Sequence, residues 1–205
     1  MSTASRSRKT AALVLGALVF GAAFADDPAA PVERLHGELI ETMRHADTLG
    51  FAGRLDAITP VIEESFDLEF VARLTMGRYW TSLDEAQRKR FVEVFGALTE
   101  ATYAARFDGY SGERFETLSV EEARQGRMLV RTLLDTGGGG DDVKLDYLVH
   151  RVNGEWRIVN VIANGISELS LKRADYDAIM SAQGFDALLG ELQRQVRELE
   201  SGKSD

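Results

Sequence analysis

Alternation of apolar and polar residues is clearest over 143–163, where two runs with a period of two flank Asn153-Gly154. Asn-Gly supplies the two positive-φ residues of a type I′ turn, so the pattern predicts a β-hairpin. Counting outward from this turn, Tyr147 should pair with Asn160. One face of the hairpin is then apolar and carries Val143, Leu145, Tyr147, Val149, Trp156, Ile158 and Ile162. A sheet with one apolar face must be covered by helices, by a ligand or by both.

Outside the hairpin, the spacing of apolar residues is helical at both ends of the chain. Helices are predicted at 32–49, 55–66, 68–76, from about 85 to 103, near 173–180 and at 185–199. Asp67 can cap the third of these helices, and Gly77 can end it. The segment Ser82-Leu83-Asp84-Glu85 has the S-x-x-E form of a capping box and should open the longest one.

Near residue 115 the period of the pattern changes from helical to strand-like. Strands are predicted at 114–121 and 127–135, before the hairpin. This order predicts an α+β fold, with helices packed on one face of a curved antiparallel sheet of about four strands. Several aromatic residues fit either an ordinary core or the lining of an apolar cavity between these layers. They are Tyr79, Trp80, Tyr103, Phe107, Tyr110, Tyr147 and Trp156.

The first 25 residues have the features of a secretory signal peptide. Basic residues at positions 6, 8 and 9 precede an uncharged apolar run, and Ala23-Phe24-Ala25 fits the small-x-small cleavage rule. We therefore expect residues 1–25 to be cleaved and residues 26–205 to form a single exported domain. A retained N-terminal anchor is the alternative, although the apolar run is shorter than the ~20 residues of a membrane span.

Composition narrows the classes of partner. The chain contains no cysteine, which excludes disulfides, thiolate catalysis and attachment as a lipoprotein. After removal of the signal peptide, Lys and Arg fall from 24 to 21 against 33 Asp and Glu, a net charge of about −12. Such an acidic chain is expected to repel nucleic acid and anionic membrane surfaces.

The polar motifs do not point to catalysis or to a metal. Gly137 to Gly140 is followed by Asp141-Asp142 rather than by the Lys-Ser or Lys-Thr of a P-loop, so a flexible loop is expected. The histidines, His36, His45 and His150, lack the spacing of zinc ligands. The hairpin register places His150 on the polar face, as a surface residue. We predict no catalytic residue, no metal and no cofactor.

A series of short motifs gives the chain a resemblance to a known family. The motifs are Phe66-Asp67 with Phe70, Leu74-x-x-Gly77-x-x-Trp80, Leu83-x-x-x-Gln87-x-x-x-Phe91 with Phe95, Tyr103, Tyr110-Ser111-Gly112, Asp146-Tyr147, Gly154-x-Trp156, Val161 and Gly165-Ile166-Ser167. Their order and spacing resemble the periplasmic phospholipid-binding MlaC family, also called the toluene-tolerance family. Val159-Asn160 stands where that family usually has Tyr-Asp. The segment Glu168 to Tyr176 is more similar to the HpnM branch, which is associated with hopanoid biosynthesis clusters.

The resemblance implies a soluble periplasmic carrier that holds phospholipid acyl chains in an apolar cavity and leaves the headgroup outside. It also implies exchange with an inner-membrane ABC transporter complex containing an MCE domain, and with an outer-membrane lipoprotein complex. Each buried methylene contributes about 0.8 kcal/mol, so the cavity should approach or exceed the upper end of the usual ~300–1,000 Å³. We expect lipid contacts from Leu145, Tyr147, Val149, Trp156, Ile158 and Ile162 on the sheet side, and from Tyr103 and Phe107 on the helix side.

Three alternatives stay open from the sequence, one of which is a pure interaction module with a filled core and no cavity. The carried lipid can be a hopanoid or another isoprenoid instead of a glycerophospholipid. A small isomerase or dehydratase would instead need an ionisable general base inside the cavity, with Asp146 and His150 as candidates. The predicted register places both side chains on the polar face, and no other ionisable group can be placed in the cavity from sequence.

Overall fold

The computed structural model describes residues 27–202, in which four helices precede a sheet and two helices follow it. The helices are α1 (Ala30–Arg44), α2 (Ala46–Ser65), α3 (Leu68–Met76), α4 (Glu85–Arg106), α5 (Glu168–Gln183) and α6 (Phe185–Glu200). The strands are β1 (Arg114–Glu122), β2 (Met128–Asp135), β3 (Val143–Val152), β4 (Glu155–Ala163) and β5 (Ile166–Ser167). The predicted α+β class is confirmed, and the short β5 brings the sheet to five strands. The predicted signal peptide lies outside the described residues.

Each strand of the sheet pairs antiparallel with the next strand along the chain, in the order β1-β2-β3-β4-β5. The β3–β4 turn has φ of 52° at Asn153 and 89° at Gly154, as a type I′ turn requires. Close to the turn, Val149 pairs with Ile158, as counting outward from the turn predicts.

No helix within residues 27–202 is long and apolar enough to cross a membrane.

Further from the turn, the predicted pairing is wrong because β4 contains a bulge. The register shifts by one residue, so that Tyr147 pairs with Val161 and not with Asn160. The extra residue is Val159, which is buried in the protein interior. A bulge places two residues of one strand opposite one residue of its partner and re-aims every side chain beyond it.

The bulge changes which residues of β4 face the helices. Ile162 pairs with Asp146, so it lies on the opposite face from Tyr147. Ala163 pairs with Leu145 and shares the face of Tyr147 instead. The expected position of Ile162 on the apolar face is therefore wrong. Apolar residues stand at both alternating positions of this strand, so the sequence pattern does not reveal the shift.

Helix boundaries follow the caps that the side chains make. Asp67 Oδ1 accepts a hydrogen bond from the Phe70 amide at 3.0 Å and starts α3, while Gly77 ends it with φ of 51°, as predicted. The capping box of α4 is formed by Asp84 and Gln87, two residues later than the expected Ser82 and Glu85. The Ser82 hydroxyl instead donates to the Tyr79 carbonyl at 2.7 Å in the preceding 3-10 turn.

The first two helices divide at a different place from the prediction. α1 ends at Arg44, and α2 runs from Ala46 to Ser65, with Pro60 inside it. Gly50 interrupts α2 with φ of 61°, so the helix end predicted after residue 49 is a kink within α2.

Buried apolar residues form two clusters. The sheet cluster lies between α1, α2 and the sheet and includes Val32, Leu35, Leu39, Ile58, Ile62, Phe66, Val130, Tyr147, Val149 and Ile158. The helical cluster joins α3, α4, α5 and α6 and includes Ala72, Met76, Leu83, Phe91, Phe95, Leu98, Tyr176, Leu188 and Leu192. Leu68 packs against both clusters, at the seam where they meet.

Candidate functional site

An apolar cavity of about 140 Å³ lies along the seam between the sheet cluster and the helical cluster. β3 and β4 form one wall, and α3, α4 and α5 form the other. Its apolar lining consists of Phe66, Leu68, Val71, Phe95, Tyr103, Phe107, Leu145, Tyr147, Val159, Val161, Ala163 and Leu169. The volume is below the ~300–1,000 Å³ usual for ligand pockets, so the expected size is not met.

Half of the predicted lining lies at this cavity. Tyr103 and Phe107 contribute from α4 and its C-terminal end, and Leu145 and Tyr147 contribute from β3. The rings of Tyr103 and Phe107 stack with centroids 5.8 Å apart, which gives the helix side a continuous aromatic surface. Their role in binding a ligand stays a prediction.

The other four predicted residues lie elsewhere. Val149 and Ile158 are fully buried in the sheet cluster, behind the cavity wall. Trp156 lies at the turn end of the hairpin and lines a separate, polar pocket of about 470 Å³ beside the start of α1. Ile162 lies on the opposite face of the sheet because of the β4 bulge.

Sequence reasoning missed residues that the bulge and the true start of α5 bring to the cavity. Val159, Val161 and Ala163 occupy the wall where Ile158 and Ile162 were expected. α5 begins at Glu168, earlier than predicted, and the Ser167 hydroxyl caps it by accepting from the Ser170 amide at 3.1 Å. A serine before a polar first turn is a readable N-cap signal.

Three charged side chains also line the cavity, although no sequence pattern predicted them there. Arg106 ends α4, while Glu168 and Lys172 lie on the first turns of α5. Arg106 Nη1 is 3.7 Å from Glu168 Oε1. Burial lowers the pKa of Lys172, and Glu168 partly opposes this shift.

The tyrosines in the cavity wall are held in their neutral form. Burial raises the pKa of Tyr103 and of Tyr147 well above the usual value near 10. A neutral tyrosine presents an apolar ring with one hydroxyl, which suits an apolar wall better than a charged group would.

Behind the wall, a buried histidine supports Tyr147. His36 Nε2 lies 2.9 Å from the Tyr147 hydroxyl, and the His36 ring stacks on Phe115 with centroids 3.8 Å apart. Burial lowers the pKa of His36 from 6.5 to about 3. The side chain is therefore a neutral hydrogen-bond partner that fixes the orientation of Tyr147.

This histidine should make the folded protein less stable in mild acid. Below pH 6.5 the unfolded chain binds a proton at His36, whereas the folded chain binds it only near pH 3. The free energy of unfolding therefore falls as the pH decreases through this window. We expect a loss of about 2 kcal/mol between pH 7.5 and pH 5. Urea unfolding at both pH values measures it.

The matched variant for this experiment is His36→Gln, which retains a group able to hydrogen-bond the Tyr147 hydroxyl but does not titrate. Between pH 7.5 and pH 5, its free energy of unfolding should fall by ~2 kcal/mol less than that of the parent. Equal slopes for the two proteins would show that His36 does not carry the effect.

The two candidate general bases lie away from the cavity. His150 is partly buried, and its Nε2 is 2.8 Å from Asp67 Oδ2, so its expected position as a surface residue is wrong. The contact ties β3 to the residue that caps α3. Asp146 Oδ2 lies 3.5 Å from Arg131 Nη1, in an ion pair on the outer face of the sheet. Neither side chain is among the residues that line the cavity.

Comparisons with known proteins identify the family. The profile described as MlaC protein matches residues 33–194. The intermembrane phospholipid transport system binding protein MlaC of Haemophilus influenzae is 25% identical over 135 residues, 64% of this chain and 63% of that protein. The toluene tolerance protein ttg2D of Pseudomonas putida is 25% identical over 132 residues, 64% of this chain and 61% of that protein. The match thus spans a little under two thirds of each relative's length.

A solved structure has the same fold. It is the phospholipid-binding protein of Ralstonia solanacearum in complex with a phospholipid, with a TM-score of 0.75 and 18% sequence identity. The match covers 85% of this chain and 99% of that one. Because the family profile extends from α1 into α6, the chain belongs to the MlaC family.

Proposed function

We propose that this protein is a periplasmic phospholipid carrier that holds acyl chains in the cavity along the seam and catalyses no reaction. The supporting observation is the cavity itself, which has apolar walls on both sides and charged groups from the facing ends of α4 and α5. The Haemophilus relative is named as the binding protein of a phospholipid transport system, and the Ralstonia structure contains a phospholipid.

The carrier must enlarge its cavity to accept two acyl chains. A volume of about 140 Å³ is too small for such a ligand, compared with the ~300–1,000 Å³ of ordinary pockets. α4 contributes to both clusters, because its buried Ala104 lies in the sheet cluster and its Phe91 lies in the helical cluster, whereas the buried apolar residues of α3 and α5 lie in the helical cluster. We therefore propose that lipid enters by movement of α3 and α5 away from β3 and β4.

The cellular role follows from the predicted export and the family. Residues 1–25 would direct the chain to the periplasm, where residues 26–205 would act as one soluble domain. We propose that it takes lipid from or delivers it to an inner-membrane MCE-domain transporter complex with an ABC component, and exchanges it with an outer-membrane lipoprotein complex. The relative named for an intermembrane transport system supports this scheme.

Purified protein should contain lipid. We expect a denaturing solvent extract of the chain, expressed with its signal peptide in a bacterial host, to yield stoichiometric phospholipid by mass spectrometry. Native mass spectrometry should show the polypeptide with one added lipid mass. A mass equal to that of the bare polypeptide after purification without detergent would contradict the carrier function. An extract containing only hopanoid would show that the carried lipid is a hopanoid and not a phospholipid.

A further inference from the structure

The charged residues of the cavity are concentrated where α4 ends and α5 begins. Arg106 is the last residue of α4, and Lys172 lies one turn beyond Glu168 on α5. The Arg106 side chain is 65% exposed, so this end of the cavity opens to solvent. Two cations and one carboxylate line the opening, which makes it locally positive in a chain whose net charge is negative.

Both cations retain donor capacity. The separation of 3.7 Å between Arg106 Nη1 and Glu168 Oε1 is longer than a direct hydrogen bond, and a guanidinium has five N–H donors. Lys172 is partly buried and makes no hydrogen bond or ion pair within residues 27–202, although the carboxylate of Glu168, one turn earlier, acts on it electrostatically. A partly desolvated ammonium without an acceptor is unfavourable, so a ligand that supplies oxygen acceptors would be stabilised here.

The other polar residues at this end are already hydrogen-bonded. The Thr102 hydroxyl donates to the Leu98 carbonyl at 2.6 Å within α4. Asn160 Oδ1 accepts from the Leu169 amide and from the Ser167 hydroxyl, both at 3.2 Å. Among the residues that line the cavity, Glu168 is therefore the only anionic acceptor available to the two cations.

We propose that Arg106 and Lys172 bind the phosphate of the lipid headgroup at the mouth of the cavity and select phosphate-bearing lipids over neutral lipids with the same acyl chains. This inference rests on the proposed carrier function and names its ligand class. Arg106, Lys172 and Glu168 together carry a net charge of +1, opposite to the single negative charge of a phosphodiester, and the two cations supply donors to its acceptor oxygens. A neutral hopanoid presents no such group.

The test is a competition between two lipids with the same acyl chains, of which only one carries a phosphoglycerol headgroup. Delipidated protein is offered equal amounts of dioleoylphosphatidylglycerol and dioleoylglycerol in detergent micelles, and the bound lipids are quantified by mass spectrometry. We expect the parent protein to prefer the phosphate-bearing lipid, and Lys172→Met to reduce this preference about tenfold. Lys172→Arg should retain it, because the positive charge remains.

The matched control is Lys89→Met, which removes the same charge from a lysine whose side chain is 80% exposed on α4. It should keep the preference of the parent. If Lys172→Met does not fold, Arg106→Gln serves as a second variant at an exposed position. It should also lower the preference.

The outcomes separate the two proposals. Binding of neither lipid by the parent would contradict the carrier function itself. Equal binding of both lipids by the parent, or an unchanged preference in both folded variants, would overturn the phosphate site and leave the carrier standing. Inorganic phosphate is added in a separate arm and should not displace the lipid. Displacement at concentrations comparable to those of the lipid would instead indicate a site for free phosphate.

Discussion

Replacing Ala163 with Trp should remove most of the lipid from the purified protein while the fold survives. Ala163 lines the cavity from β4 and is only partly buried, so its surroundings can yield to a larger side chain. Overpacking costs about 1–3 kcal/mol, which is below the 5–15 kcal/mol stability of an ordinary domain. Each methylene that the indole excludes from the cavity costs about 0.8 kcal/mol, so a few methylenes lower affinity by more than about tenfold.

The control is Ile162→Trp, on the neighbouring residue of the same strand. Ile162 pairs with Asp146 on the opposite face, so this variant should retain the lipid of the parent. Lipid is measured in solvent extracts by mass spectrometry, and folding by circular dichroism. Loss of lipid from Ile162→Trp alone would contradict the bulge in β4, and retention by both variants would contradict the assigned cavity wall.

Truncating Phe91 to alanine should destabilise the protein by about 3–5 kcal/mol. Phe91 is fully buried on α4 and joins the helices of the helical cluster. Its ring lies edge-on to Tyr176 of α5, with centroids 6.0 Å apart, and 6.1 Å from the ring of Phe95. The variant removes these contacts together and leaves a cavity that the surrounding helices cannot fill completely.

Urea unfolding measures this loss, with Val92→Ala as the matched control. Val92 is adjacent on α4 but partly exposed, so its truncation should cost much less than that of Phe91. A difference of less than about 1 kcal/mol between the two variants would show that the helical cluster does not depend on Phe91.

Elements with a local chemical signal could be predicted from the sequence. Asn153-Gly154 determined the hairpin turn because few other residues adopt its backbone angles, and Asp67 and Gly77 marked both ends of α3 for similar reasons. Composition left Tyr103 and Phe107 open between an ordinary core and a cavity lining, the family resemblance favoured the lining, and both lie at the cavity.

The rest of the site depends on contacts that no local pattern records. The bulge at Val159 arises within a strand whose apolar alternation continues in either register, so Ile162 was placed on the wrong face. Arg106 and Lys172 belong to helices far apart in the sequence, and only the fold brings the end of α4 near the start of α5 at one cavity. His36 and Tyr147 likewise meet across the sheet cluster, which spacing along the chain cannot indicate.

The seam between the two clusters has a consequence for the range of cargo. A pocket carved into one rigid core matches a single shape, whereas two walls that move apart adapt by changing their spacing. Acyl tails of different length or unsaturation would then be accommodated with similar ease, because dispersion contacts with such walls are non-directional. Under the proposed mechanism, the protein would be indifferent to the length and unsaturation of the tails and would discriminate at the charged end of the lipid.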